Sequence, residues 1–181
     1  MKPLKNYPWL LRLLFSYQTK KYGGPLEPTL IWGRSPKLLT SFLRFGKTLE
    51  RKNSPLPPFL RTLVMVYVSQ ARDCAFCIDL NTHRLIEISK NEAILAELQN
   101  FHETSLFSDK EKTALEYAEK VVEAPNQIPD HLFAKLQSQF SENEIVELTA
   151  LISFQLLSST FNASLCISAH GFTTHQPQSI R

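Results

Sequence analysis

The chain has 181 residues, 43% hydrophobic and 20% charged; that is one domain's worth, large enough to bury roughly 70% of its unfolded surface unaided, and it excludes global disorder. No apolar run approaches the ~20 residues of a membrane span, three cysteines are too few for a secreted disulfide scaffold, and the five glycines form no phosphate-cradling motif. The net charge of +3 hides an asymmetry: residues 1–61 carry 12 Lys+Arg against 2 Asp+Glu, a net of +10, and residues 62–181 carry 8 against 15, a net of −7.

In chain order, Pro8 to Tyr17 reads as a short amphipathic helix, broken by Tyr22-Gly23-Gly24-Pro25. Arg12 interrupts its apolar stretch and no small-residue cleavage site follows, so no signal peptide is read and a cytoplasmic, reducing compartment is expected. Leu26 to Ile31 reads as a connector. Ser35 and Pro36 start a helix to about Arg51, with Ser35 as N-cap. A Pro-rich turn at residues 53–58 leads into a mostly apolar, central helix from Pro58 to about Arg72. Asp73 is expected to cap a helix from Cys74 to about Ser89. Lys90-Asn91 leads a short helix through Leu98. Ser108 with Glu111, and Ser141 with Glu144, are capping boxes that open helices to about Glu123 and to Ile167 or His170. Between them lies a helix over Asp130–Phe140. Strand alternation is nowhere sustained, so the class is all-α. The organisation reads as a basic N-terminal helix or arm (1–24), an all-α domain (25–170) and a polar tail (171–181).

The charge asymmetry has two readings. One is an arm for nucleic acid or anionic lipid. The favoured one is two oppositely charged parts packed together, within or between subunits, because the basic residues are spread along Lys2–Arg61. Neither nucleic acid nor a membrane is therefore expected as a partner.

The residues that carry chemistry are Cys74 and Cys77. A helix N-terminus stabilises a thiolate, and three-residue spacing lets the two sulfurs close a disulfide that thiol exchange can reopen. At about 100° per residue, Cys77, Asn81 and Arg84 share one stripe with Cys74, whereas His83 falls on the opposite side. Arg84 is a candidate to hold a thiolate. Two other readings stand beside this one. The pair could be two inert buried cysteines, or half a zinc site completed by Cys166 and His170 on the last helix. Cys166 reads better as a small core residue, and no metal or cofactor is expected.

At these residues the sequence resembles the AhpD-like (alkylhydroperoxidase D / carboxymuconolactone decarboxylase) family. The resemblance runs from Leu60-Arg61-Thr62-Leu63-Val64 through Cys74-Ala75-Phe76-Cys77-Ile78-Asp79, and again over residues 144–154 with Phe161-Asn162. It covers roughly Pro25 to His170. It implies an all-α fold, a homo-oligomer (dimer, trimer or hexamer) and a redox-active Cys pair used in thiol-dependent peroxide reduction. In the family a His four residues after the second Cys and a Glu twelve before the first complete a proton relay. Here those positions are Asn81 and Thr62, neither of which moves a proton at neutral pH. His102, Glu103 and His170 are candidate replacements, and Tyr67 is a candidate neighbour of the pair. Lactone decarboxylation is not expected, because the acid–base pair is missing.

The expected function is a thiol-dependent, peroxidase-like oxidoreductase of antioxidant defence. Family analogy makes Cys77 the peroxide-reacting thiolate and Cys74 the resolving thiol. Its partners would be a peroxide or other small-molecule substrate and an external thiol or disulfide reductant. The alternative is an AhpD-like oligomeric binding or structural protein that has lost the relay and most of its chemistry.

Overall fold

A computed structural model of the chain describes residues 4–173. The described residues form nine α-helices and one 3₁₀ turn: α1 (Trp9–Tyr22), α2 (Glu27–Trp32), α3 (Pro36–Leu49), α4 (Pro58–Ala71), α5 (Ala75–Ser89), α6 (Ala93–Glu97), η1 (Leu98–Asn100), α7 (Asp109–Glu123), α8 (Asp130–Gln139) and α9 (Glu142–Ser164). The all-α class expected from the sequence is what is found.

Helix α4 is the centre. Every residue from Leu60 to Gln70 is buried, and α5, α7 and α9 pack around it. Leu63, Val64, Val66 and Val68 are fully buried in one core with Leu85, Leu115, Leu148 and Ile152. An apolar stripe on one side only would serve a surface helix; α4 is apolar all round because it has neighbours all round.

Both capping boxes form. The Ser108 and Ser141 hydroxyls accept from the backbone N–H of Glu111 and Glu144, and each Glu carboxylate accepts from the Ser N–H in return. Lys110 donates to Glu144 at 2.8 Å and so ties α7 to the start of α9. Arg51, beyond α3, meets Glu147 with two bonds of 2.6 and 2.9 Å. Gly46 lets α3 lie close on α9. A Cβ there would meet Cζ of Phe154 at 3.1 Å, and Phe154 stacks on Phe42 with ring centroids 4.7 Å apart.

Three boundaries and one cap differ from the sequence reading. α1 runs on to Tyr22, because Gly23, at φ 80°, is its left-handed C-cap and the chain breaks only there. Residues 26–31 are not a connector: α2 forms there with Pro28 in its first turn. Gln18 of α1 joins it, donating to Thr29 at 2.8 Å and accepting from the Leu26 N–H at 3.2 Å. Ser35 stands at the N-cap of α3 as expected but its side chain makes no capping bond. α9 stops at Ser164, short of Ile167 and His170. Cys166 adopts φ 52°, its N–H reaches Ala163 O, and the Ile167 N–H reaches Asn162 O. This is a Schellman ending with Cys where Gly is usual. Cys166 is exposed, not a core residue. The polar tail begins pinned: residues 170–173 lie against α5 through Asp79. The tail from 174 onward is outside the described residues.

Candidate functional site: a buried Cys pair at the head of α5

The turn before α5 explains where the cysteines sit. α4 also ends in a Schellman turn, with Asp73 at φ 47°, the Asp73 N–H on Gln70 O and the Cys74 N–H on Ser69 O. Asp tolerates the left-handed conformation better than most residues. Asp73 is therefore the end of α4 and not the cap of α5. The N-cap is Cys74, whose sulfur accepts from the Cys77 N–H at 3.4 Å. Cys74 and Cys77 are joined as a disulfide, Cα atoms 5.3 Å apart.

The two sulfurs have different surroundings. Cys74 is 0% exposed and Cys77 3%. Cys77 lines a cavity of about 730 Å³, and Cys74 does not. Asn162 on α9 donates from Nδ2 to Cys77 Sγ at 3.3 Å. The Ser158 hydroxyl lies 3.9 Å from the same sulfur. Behind them runs a neutral network. Asn81 Nδ2 donates to Ser69 Oγ at 3.0 Å and to Gln155 Oε1 at 3.2 Å, and Gln155 Nε2 donates to Ser159 Oγ at 2.9 Å. Asn162 Oδ1 is buried with no hydrogen-bond partner among the described residues.

Of the residues singled out from sequence, Cys77, Asn81 and Arg84 line this one cavity. Arg84 turns to Glu50, at 2.7 Å, rather than to a sulfur. Thr62 bonds back to Pro58 O at 2.9 Å and lines a smaller neighbouring cleft of about 330 Å³. Tyr67 points the other way. Its ring packs edge-on against Phe101 and its hydroxyl donates to Glu119 at 3.1 Å. Burial, with Glu119 close by, raises its pKa. His102 lies 3.8 Å from that same Glu119, and His83 stacks on Phe172 and faces Glu87 at 3.7 Å. His170 lies with its Nε2 3.1 Å from Tyr22 O. None of these candidates lines the Cys77 cavity. No group of three or more metal-ligating side chains occurs among the described residues. The zinc set fails because Cys166 and His170 lie beyond the helix end and share no helical face.

Sequence reasoning missed Ser69, Glu50, Gln155, Ser158 and Asn162. A signal existed for three of them: Gln155, Ser158 and Asn162 recur at spacings of three and four on α9, one polar stripe on a single helix face. Glu50 carried none, since only the fold brings the end of α3 to α5.

Helix α5 holds a second buried group. Asp79, 3% exposed, accepts at Oδ2 from the N–H groups of His170, Gly171 and Phe172 at 2.9, 2.7 and 3.0 Å. Its Oδ1 accepts from the N–H and hydroxyl of Thr173 at 2.8 and 2.9 Å. Burial alone pushes its pKa up, but the bonds from Phe172, Thr173 and Gly171 outweigh it, and the net shift is down from the ordinary 3.8.

Comparison with known proteins now bears on this geometry. The carboxymuconolactone decarboxylase family model matches residues 36–120. YnjA of Escherichia coli, an uncharacterized protein, is 36% identical over 171 residues, covering 94% of each chain. The chain belongs to the carboxymuconolactone decarboxylase family. The fold is shared with an uncharacterized peroxidase-related protein from a Silicibacter species (TM-score 0.83, 18% identity, 94% and 92% of the two chains). It is shared also with an AhpD-core, peroxidase-related protein of Ralstonia eutropha (TM-score 0.80, 19% identity, 90% and 86%). No described helix is long and apolar enough to cross a membrane.

Proposed function

We propose that the protein is a dithiol oxidoreductase that reduces an organic hydroperoxide, with Cys77 meeting the peroxide. The observation that carries this is the asymmetry of the pair: one sulfur lines a large apolar cavity and the other is sealed behind it. In the reduced protein the Cys77 thiolate attacks the outer peroxide oxygen. The O–O bond breaks, the alcohol leaves with one proton, and Cys77 becomes a sulfenic acid. Cys74 then displaces its hydroxyl, releasing water and closing the disulfide. The sum is dithiol plus hydroperoxide giving disulfide, alcohol and water. An external thiol or dithiol restores the pair by exchange.

No His–Glu relay is needed to hold the thiolate. Cys77 stands in the first turn of α5, where the helix's positive end favours an anion, and the Asn162 amide donates to its sulfur; hydrogen bonding to the charged form favours it. In this reading Asn162 takes the place of the family's histidine as the polar group at the sulfur, without moving a proton itself. The reading includes a homo-oligomer in a reducing cytoplasm.

The test uses a Cys166→Ser background, so that only two thiols are counted. Reduced protein, freed of reductant, should lose two thiols per hydroperoxide consumed. Cys77→Ser should consume none. Cys74→Ser should consume one and stop at a sulfenic acid that dimedone traps. Continued hydroperoxide consumption by Cys77→Ser would overturn the assignment.

A further inference from the structure

The cavity beside Cys77 is apolar at one end and cationic at the other. Near the sulfur its walls are Phe76, Leu80, Met65, Trp32, Phe42 and Phe154. Trp32 stacks on Phe42 and on Phe161, with centroids 4.8 and 3.7 Å apart, and Phe42 stacks on Phe154. The far end is built from the close of α3 and from Arg84. Lys47, Arg51, Lys52 and Arg84 all line it, against one carboxylate, Glu50.

The charges there do not cancel. Arg84 is taken by Glu50 at 2.7 Å, and Arg51 by Glu147 outside the cavity. Lys47 and Lys52 have no ion pair or hydrogen bond among the described residues. Two unneutralised lysines therefore remain at the rim of an apolar cavity, where low-dielectric walls strengthen their field on anything bound inside. Arg84 stands seven residues beyond Cys77, which at 1.5 Å per residue is about 10 Å along the helix axis.

We infer that this cavity takes an amphipathic organic acid, an apolar body whose carboxylate sits at Lys47 and Lys52 and whose reacting group lies at Cys77. A volume of about 730 Å³ is in the range of sites that bury most of a drug-sized or fatty-acid-sized ligand. On the oxidoreductase reading, on which the identity of the reacting group rests, the substrate is a long-chain hydroperoxy acid. The carboxylate site itself rests on the cavity alone.

The experiment compares 9-hydroperoxyoctadecadienoate with its methyl ester, below their micelle concentrations, as oxidants of the reduced protein. The two differ only at the carboxyl group, which is charged in the acid and neutral, with one added methyl, in the ester. The acid is expected to remove thiols at least tenfold faster than the ester at low concentration. In Lys47→Glu/Lys52→Glu that ratio should fall to within about twofold of one. A ratio near one in the wild type, or one that survives in the double variant, overturns the inference. In parallel, calorimetry follows binding of octadecenoate, which cannot oxidise, to the disulfide form. Binding that the double variant loses supports the carboxylate site; no binding to the wild type overturns it. If octadecenoate binds but no hydroperoxide removes thiols, the oxidoreductase reading fails and the carboxylate site stands. If hydroperoxides remove thiols with no preference for the acid, the reverse holds.

Discussion

Cys77 and Asp79 stand two residues apart on α5, about 200° around the helix, and each is 3% exposed. Around Asp79 the chain buries a full charge and satisfies it with five donors, all from one short segment. Around Cys77 the sulfur's polar neighbours are amides and hydroxyls, and among the described residues the Asn162 carbonyl has no partner. The saturated group is closed: burying a charge is tolerable only when it is fully paired. The unsaturated one opens onto a cavity. Satisfaction marks the side of α5 that holds the fold, and incomplete satisfaction marks the side on which we place the chemistry.

The largest expected effect breaks the saturated side. Asp79→Ala removes a buried carboxylate whose hydrogen bonds are each of the charged kind, and should cost about 3 kcal/mol of stability. Urea unfolding measures the loss, and limited proteolysis should find the chain at 170–173 newly cleavable. A loss below about 1 kcal/mol would mean that the segment is held by Phe172, which packs on Tyr22, Phe76 and His83, and not by the carboxylate. The pH dependence has a definite sign. The folded pKa of Asp79 is depressed, so its contribution is fully present above the ordinary value of 3.8 and is lost as pH falls below it. In wild type, unfolding midpoints should drop below pH 3.8 more steeply than in Asp79→Ala.

Next comes the unsaturated side. Asn162→Ala deletes the donor at 3.3 Å from Cys77 Sγ. Alkylation of Cys77 in reduced protein at pH 7 should slow about tenfold, equivalent to about 1.4 kcal/mol less stabilisation of the thiolate. The readout is the midpoint of alkylation rate against pH, which should move upward. A purely structural role for Asn162 would shift the melting temperature and leave that midpoint in place. Asp79→Ala should do the opposite of Asn162→Ala, lowering stability with the Cys77 midpoint unmoved. If both variants move both readouts together, the two sides of α5 are one unit and the contrast fails.

Much of this was legible in the residues, and what was not has identifiable reasons. Ser108–Glu111 and Ser141–Glu144 announced α7 and α9, because capping is a local exchange between a side chain and backbone three residues away. The stripe of Cys77, Asn81 and Arg84 was legible because helical periodicity alone places it. Helix ends without glycine were not. Asp73 and Cys166 take the left-handed position that sequence reading assigns to Gly, so α5 seemed capped by Asp73 and α9 seemed to run through Cys166. The partners of Cys77 and Arg84 come from α9 and α3, 85 and 34 residues distant, and no local pattern specifies which turn of a distant helix arrives. Tyr67 could not be oriented for the same reason: on a helix buried all round, burial does not say which neighbour a side chain meets.

The smallest expected effect separates two neighbours of one sulfur. Ser158 Oγ lies 3.9 Å from Cys77 Sγ, beyond the 3.3 Å of the Asn162 amide, and a hydroxyl can turn its hydrogen elsewhere. A contact that long contributes little beyond what water entering from the cavity would supply. Ser158→Ala should therefore change the alkylation rate of Cys77 by less than about threefold, where Asn162→Ala changes it tenfold. Should Ser158→Ala match Asn162→Ala, the hydroxyl swings toward the thiolate once the disulfide opens. The sulfur would then be held by two donors from successive turns of α9, and that helix would count as the anion-binding side of the site.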